Sequence, residues 1–387
     1  MAYTFKGSDF IVLEHGQVIK GTNTYDTTTT LSNEITTVVS TGVIANSNSK
    51  VAIGCGRIVV GGASYQSYFS TTVGNAFIYD YGGNLIQSLT ASDGQNGDGF
   101  GVSVGVAHDR VIVGSYEHSD IYVYTLAGVE VQRLTDTYSP YGSAKFGKDC
   151  DIGCGRIVGG APDYSSFNGA CYIADLHGNP IKRVNRNGYT AGYSSGFGER
   201  VAIGCGRIAV LTGGGDATPN YETGMTIFDL DGNYIRHIDI LFHTSADTQS
   251  LAIGNGIIVV GRPHVGNGYA NVYNLEGIEL FQLTPTNTPG DHGSFGYDVS
   301  VGCGRILVSA ISDNSNTGAV YVFDLNGNQI QRLVGSSSVQ SDFFGRKVAI
   351  NDGKAAITSG DQSNTFTKLH IFDTPNIKVH QDLANGR

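Results

Sequence analysis

The run Gly101-Val102-Ser103-Val104-Gly105 sets a serine between glycines at the GxSxG spacing that, in hydrolases, lifts a nucleophile out of a sharp strand-to-helix turn. That chemistry needs a helix behind the serine, and no helical periodicity follows Ser103. The reading therefore places Ser103 on a strand, as the counterpart of small residues such as Ala52 and Ala202, and not at a catalytic elbow. Two other stretches carry oxygen donors of the kind calcium takes: 92–99, with Asp93 and Asp98, and 312–318, with Asp313 and Asn316. Their carboxylates do not alternate as a calcium loop requires, and both read as turns. The ten histidines are scattered, with no HExxH. The six cysteines lack CxxC spacing, so a zinc site is not expected. No phosphate or dinucleotide fingerprint stands between a strand and a helix. The expectation is no catalytic residue, no metal and no cofactor: the protein is not read as an enzyme.

What positions these residues is a phrase that returns along the chain. VAIGCGRIVVGG at Val51 recurs from Cys150, Val201, Leu251 and Val299, with weaker copies from Val102 and Val348. The spacing is 48–51 residues, the size of one four-stranded propeller blade. Within each unit, strand A (VAIG) and strand B (RIVVG) flank a Gly-x-Gly turn. Strand C (AFIYDY, IYVYTL, VYVFDL) and strand D (LIQSL, QIQRL) flank turns such as GGN, DGN and NGN, which favour tight hairpins. Period-two alternation marks half-buried antiparallel strands. Seven units that cannot each bury both faces alone point to an all-β fold, a seven-bladed β-propeller of four-stranded antiparallel blades.

Composition agrees. Glycine makes up 55 of 387 residues, about twice the ordinary usage, and only 15% are charged. A net charge of −10 argues against nucleic acid, and no apolar run is long enough for membrane insertion. The opening MAYTFKGSDF has no charged and then apolar leader, so no secretory signal is expected. Four cysteines (Cys55, Cys154, Cys205, Cys303) share one repeat position, too far apart for disulfides, and all six are expected reduced.

The organisation expected is an N-terminal arm, 1–45, and a propeller, 46–387. The stretch 8–20 looks like C and D strands with no A and B strands of its own, and a Thr-rich run, 21–42, follows it. The extra hairpin either closes the ring by adding a strand to the last blade or forms an attachment arm outside it. The arm is preferred, because 369–383 reads as a C–D pair for blade seven.

Phe-Gly pairs stand before strand A at Phe100-Gly101, Phe146-Gly147, Phe197-Gly198, Phe295-Gly296 and Phe344-Gly345, and strand B ends in Gly-Gly or Gly160-Ala161-Pro162. Over roughly 46–380 this resembles the FG-GAP repeat of integrin-α-type propellers, which implies a propeller used for adhesion or recognition. The chain departs from the calcium-binding members: where they carry a DxDxDG-like loop it has Gly-Cys-Gly-Arg, so calcium is not carried over. The chain also resembles repeat proteins of tailed bacteriophages. That implies a virion protein assembled in the host cytoplasm, bound to other virion proteins through 1–45, with a homo-oligomer among the expected partners; the alternative is an extracellular or cell-surface adhesin.

Arg57, Arg156, Arg207 and Arg305 follow the A–B turn and form a turn ring, expected to tie each blade to a neighbouring blade's carboxylate in the C–D corner, such as Asp80, Asp175, Asp229, Asp324 or Asp373. The A–B and C–D turns are short and uniform, whereas the B–C and D–A loops vary and are rich in Tyr, Ser, Gly and Asn. Such loops on a rigid scaffold suit recognition of a host surface glycan or protein. The residues expected there are Tyr65, Tyr68, Tyr138, Tyr141, Tyr189, Tyr193, Tyr221 and His292. A polysaccharide-degrading enzyme is the minor alternative, and would need Asp216, Glu222, Asp291 and His292 to converge.

Overall fold

The computed structural model describes residues 2–3, 10–12, 18–20, 25–26, 31, 34–40, 50–62, 73–135, 144–164, 169–185, 196–213, 224–240, 250–286, 293–336, 338–360 and 367–374. Their β-branched and aromatic runs, broken by glycine turns, form seven four-stranded antiparallel sheets. Blade one contains strands Val51–Gly54, Arg57–Gly62, Asn75–Tyr79 and Leu85–Leu89. Blades two to six repeat this meander, each with its first strand innermost, and the innermost strands pack side by side until Val348–Asn351 meets Val51–Gly54. The fold is a seven-bladed β-propeller. Apolar residues on both faces of each sheet fill the spaces between blades; Ile58, Ile112, Ile208, Ile258 and Ile306 are fully buried. Among the described residues no helix is long and apolar enough to cross a membrane.

The Phe-Gly and Gly-Gly motifs meet across the blade interfaces. Phe197 is fully buried and packs edge-on against Phe228. Gly198 follows it at φ +97°, a region open to glycine. Its carbonyl comes so close to Gly160 of the preceding blade that a Cβ there would lie 1.9 Å away. The glycines are thus fixed by backbone-to-backbone approach, and the phenylalanine beside them supplies the buried area.

Two expectations need correction. Ring closure uses neither the 8–20 hairpin nor a C-terminal D strand. Blade seven is Val348–Asn351, Lys354–Ser359, Thr367–Asp373 and then Glu34–Ser40, so the Thr-rich run is its outermost strand. Threonine and valine suit that edge position, and Glu34 anchors it. Residues 34–40 are therefore part of the ring, and the propeller does not begin at 46. Residues 10–12 and 18–20 pair as a separate hairpin, and 375–383 lie outside the described residues.

The second correction concerns blade two. Ala107 pairs with Arg110 as Gly54 pairs with Arg57, so the counterpart of Val51 is Val104 rather than Val102. The VSVG at 102–105 imitates VAIG two residues early. Ser103 consequently aligns with Lys50, and Gly105 with Ala52. Ser103 is fully buried on a strand and donates to the Gly147 carbonyl at 2.8 Å.

Candidate functional site

The A–B turns are hairpins whose two central residues both have positive φ, as a type I′ turn demands. Cys55 and Gly56 lie at +52° and +74°, and His108-Asp109, Asn255-Gly256 and Asp352-Gly353 behave alike. The first turn residue also has a bonding role. The His108 ring nitrogen accepts from Gly155 N, Cys205 Sγ from Gly256 N, Asn255 Oδ1 from Gly304 N and Cys303 Sγ from Gly353 N. From blade seven back to blade one, Asp352 accepts from the Tyr81 hydroxyl, which in turn accepts from Gly56 N. Five of the turns thus hand an acceptor to the next, and a weak thiol can stand where histidine, asparagine or aspartate serves elsewhere. The six cysteines are free, and burial pushes the Cys150 and Cys171 thiols up to about 12.

Three arginines of the turn ring reach the C–D corner of the adjacent blade, where each meets a carbonyl, and two also meet a carboxylate, though not Asp80, Asp175, Asp229 or Asp324. Arg57 Nε donates to the Leu126 carbonyl, Arg156 Nε to Leu230 and Arg207 Nε to Leu275, each in the next blade's C–D corner. The added ion pairs are to Asp231 at 3.1 Å and Glu276 at 3.6 Å. Arg305 is buried and donates to its own turn, at the Gly304 carbonyl. Asp80, Asp175, Asp229 and Asp324 instead close their own turns, each accepting two backbone N–H groups and the side chain of an asparagine four residues on. Hydrogen bonds from Asn84 and Asn179 hold the Asp80 and Asp175 carboxyls below their ordinary range. Lys354 does pair with Asp373, within its own blade.

At the other end of the innermost strands, the residue just before each repeat phrase forms a second ring: Lys50, Ser103, Asp149, Arg200, Ser250, Asp298 and Lys347. The innermost strand of a blade is a sheet edge with unpaired N–H groups, which need acceptors. Asp149 accepts from Val201 N at 2.8 Å, Asp298 from Val348 N at 2.7 Å, Asp151 from Ile203 N at 2.9 Å and Ser300 from Ile350 N at 3.1 Å. Each side chain serves the next blade. Lys50 reaches across the axis to Asp149, and Lys148 and Arg200 pair with Glu199. Burial pushes Asp151 up to about 6 and also raises Asp298. Burial and the neighbouring Arg200 and Lys50 charges, outweighing Asp298, keep the Lys347 ammonium below its ordinary range. Below this ring an axial cavity of about 340 Å³ is walled by Ala52, Ala202, Ala252 and Ala349, with Lys50, Asp151 and Asp298 on its lining. Composition and turn motifs gave no sign of this axial ring. The signal was present as a charged residue immediately before the apolar strand in KVAI, DCDI, RVAI, DVSV and KVAI.

The carboxylates of the two calcium-like stretches are taken by side chains. Asp93 accepts from the Tyr122 hydroxyl and pairs with Arg133; Asp313 does the same with Tyr321 and Arg332. Among the described residues no group of three or more His, Cys, Asp or Glu could hold a metal ion. The eight residues expected on the variable face, Tyr65, Tyr68, Tyr138, Tyr141, Tyr189, Tyr193, Tyr221 and His292, lie outside the described residues, as do Asp216, Glu222 and Asp291.

Seven meandering blades around a polar axis form a β-propeller. Residues 84–125, from the outer strand of blade one through the third strand of blade two, match the FG-GAP repeat family model. That stretch, 42 of the 387 residues, is similar to the FG-GAP repeat. No curated protein matches the chain.

Proposed function

We propose that the protein is a non-enzymatic recognition module whose variable-loop face takes a surface glycan, while its turn face holds the ring together. The observation that carries this reading is the asymmetry of the two ends. At one end, Cys55, His108, Cys154, Cys205, Asn255, Cys303 and Asp352 adopt the same positive-φ conformation, all at φ 49–52°. Identical geometry with interchangeable side chains is scaffold. At the other end, the fully described B–C connections run from four residues in blade two (116–119) through six in blade five (263–268) to eight in blade six (311–318), and ionisable groups gather at the axis. Recognition is commonly built on variable loops held by such a scaffold.

The setting we propose is a phage virion, with residues before 34 attaching the propeller to other virion proteins; a secreted or cell-surface adhesin is the alternative setting. A glycan array probed with the full chain tests the recognition role. Saturable binding to a defined glycan set is the expected result. Binding only to virion proteins, with no glycan retained, would leave a structural role alone.

A further inference from the structure

We propose that the axial mouth is an oxyanion subsite centred on Lys347, taking the carboxylate or sulfate group of the ligand; this rests on the recognition reading above. The ring before the innermost strands brings cations from blades one, four and seven to the axis, Lys50, Arg200 and Lys347, against the carboxylates of Asp149 and Asp298. The donors differ in how far they are spent. Lys50 is committed to Asp149 and the Cys150 carbonyl, and Arg200 to Glu199. Asp298 gives one oxygen to Val348 N.

Lys347 is the exception. Its ammonium stands 3.9 Å from the other Asp298 oxygen, beyond hydrogen-bond distance, and makes no hydrogen bond among the described residues. It lies over the Tyr297 ring at 5.5 Å, with its side chain 14% exposed. An ammonium that keeps some solvent contact exchanges water for a stronger, charged acceptor when an oxyanion binds. The cation pair of Lys50 and Lys347 sits where blades seven and one meet. The cavity beneath, at about 340 Å³, lies at the small end of ligand pockets and suits one sugar ring.

The test is isothermal titration of the full chain with D-glucuronate, inorganic sulfate and D-glucose at low ionic strength, for wild type, Lys347→Met and Lys347→Arg. Wild type is expected to bind glucuronate or sulfate at least about fivefold tighter than glucose, with the arm that binds identifying the group. Lys347→Met should lose that preference and Lys347→Arg keep it, with unchanged thermal unfolding showing that both fold. Equal anion affinity in wild type and Lys347→Met, or glucose bound as tightly as the anions, would overturn the subsite and leave the recognition reading standing. Failure of all three probes would also overturn the subsite, while the glycan array decides the recognition reading separately.

Discussion

The imidazole Nδ1 of His370 lies 2.7 Å from the carboxylate of Glu34, across 336 residues of chain. The other Glu34 oxygen accepts from Ser336 N at 2.8 Å, and His370 Nε2 meets the Ser359 hydroxyl at 2.9 Å. His370 is fully buried and Glu34 nearly so. The three groups have the order of a Ser-His-acid relay, but Ser359 is fully buried and reaches no substrate. They clasp the closing strand to its blade. Glu34→Ala should leave His370 Nδ1 and Ser336 N without their acceptor and cost about 2–4 kcal/mol in urea unfolding. The double variant Glu34→Leu, His370→Leu should recover part of that loss, because an apolar pair replaces a buried polar one. A Glu34→Ala midpoint equal to wild type would show that the strand is held elsewhere.

The turn-to-turn acceptors make a separate claim. Cys205 occupies a left-handed position, φ +50°, that asparagine tolerates better than most residues, and its sulfur is the weaker acceptor for Gly256 N. Cys205→Asn should therefore stabilise by about 0.5–1 kcal/mol, and Cys205→Val should destabilise by more than about 1 kcal/mol through its β-branch. Equal unfolding midpoints for the two variants would remove the role given to this side chain.

In the arginine ring, the hydrogen bond to the next blade's carbonyl should outweigh the ion pair. Arg156→Met removes the bond to the Leu230 carbonyl and should cost about 1–2 kcal/mol. Asp231→Asn removes only a carboxylate that is 69% exposed and should cost under about 0.5 kcal/mol. Chemical denaturation of the two variants side by side decides it, and a larger loss for Asp231→Asn would reverse the assignment.

Asp151 sets a pH dependence with a definite sign. Burial raises its folded pKa to about 6, above the ordinary 3.8, so between those values the folded state holds the proton more tightly than the unfolded state. Its contribution therefore falls as pH rises from about 4 to about 6, by about 1–2 kcal/mol once water in the channel is allowed for. Lys50, Asp149 and Asp298 face the same axis, and burial raises the Asp298 carboxyl as well. Comparing the slope of unfolding free energy against pH for wild type and Asp151→Asn isolates the term. The variant should show the smaller decline over this window, and parallel slopes would contradict the shift.

The fold was legible because its evidence is repeated. A turn such as Gly54-Cys55-Gly56-Arg57, met again and again, averages out local ambiguity, and the Phe-Gly and Gly-Gly positions mark where backbones touch. Blade two was misaligned because Val102-Ser103-Val104-Gly105 has the right residue types two places early, and only the pairing of Ala107 with Arg110 sets the register. The closing strand was hidden for a different reason. Glu34–Ser40 has no sequence neighbour to pair with, and its partner Thr367–Asp373 lies at the far end of the chain. The axial ring was overlooked because its charges alternate in sign between blades, so no cluster of like residues stands out along the chain.

The measurement that bears most directly on the two-faced account is glycan binding by the full chain, closing strand included, with one variant from each face. One carries Tyr68→Ser, Tyr141→Ser and Tyr193→Ser in the variable loops, and the other carries Arg57→Ala on the turn face. The account predicts glycan binding by wild type, its loss by at least about tenfold in the tyrosine variant with unfolding unchanged, and its retention in Arg57→Ala despite lower stability. Retention by the tyrosine variant, or loss confined to Arg57→Ala while that variant remains folded, would contradict it.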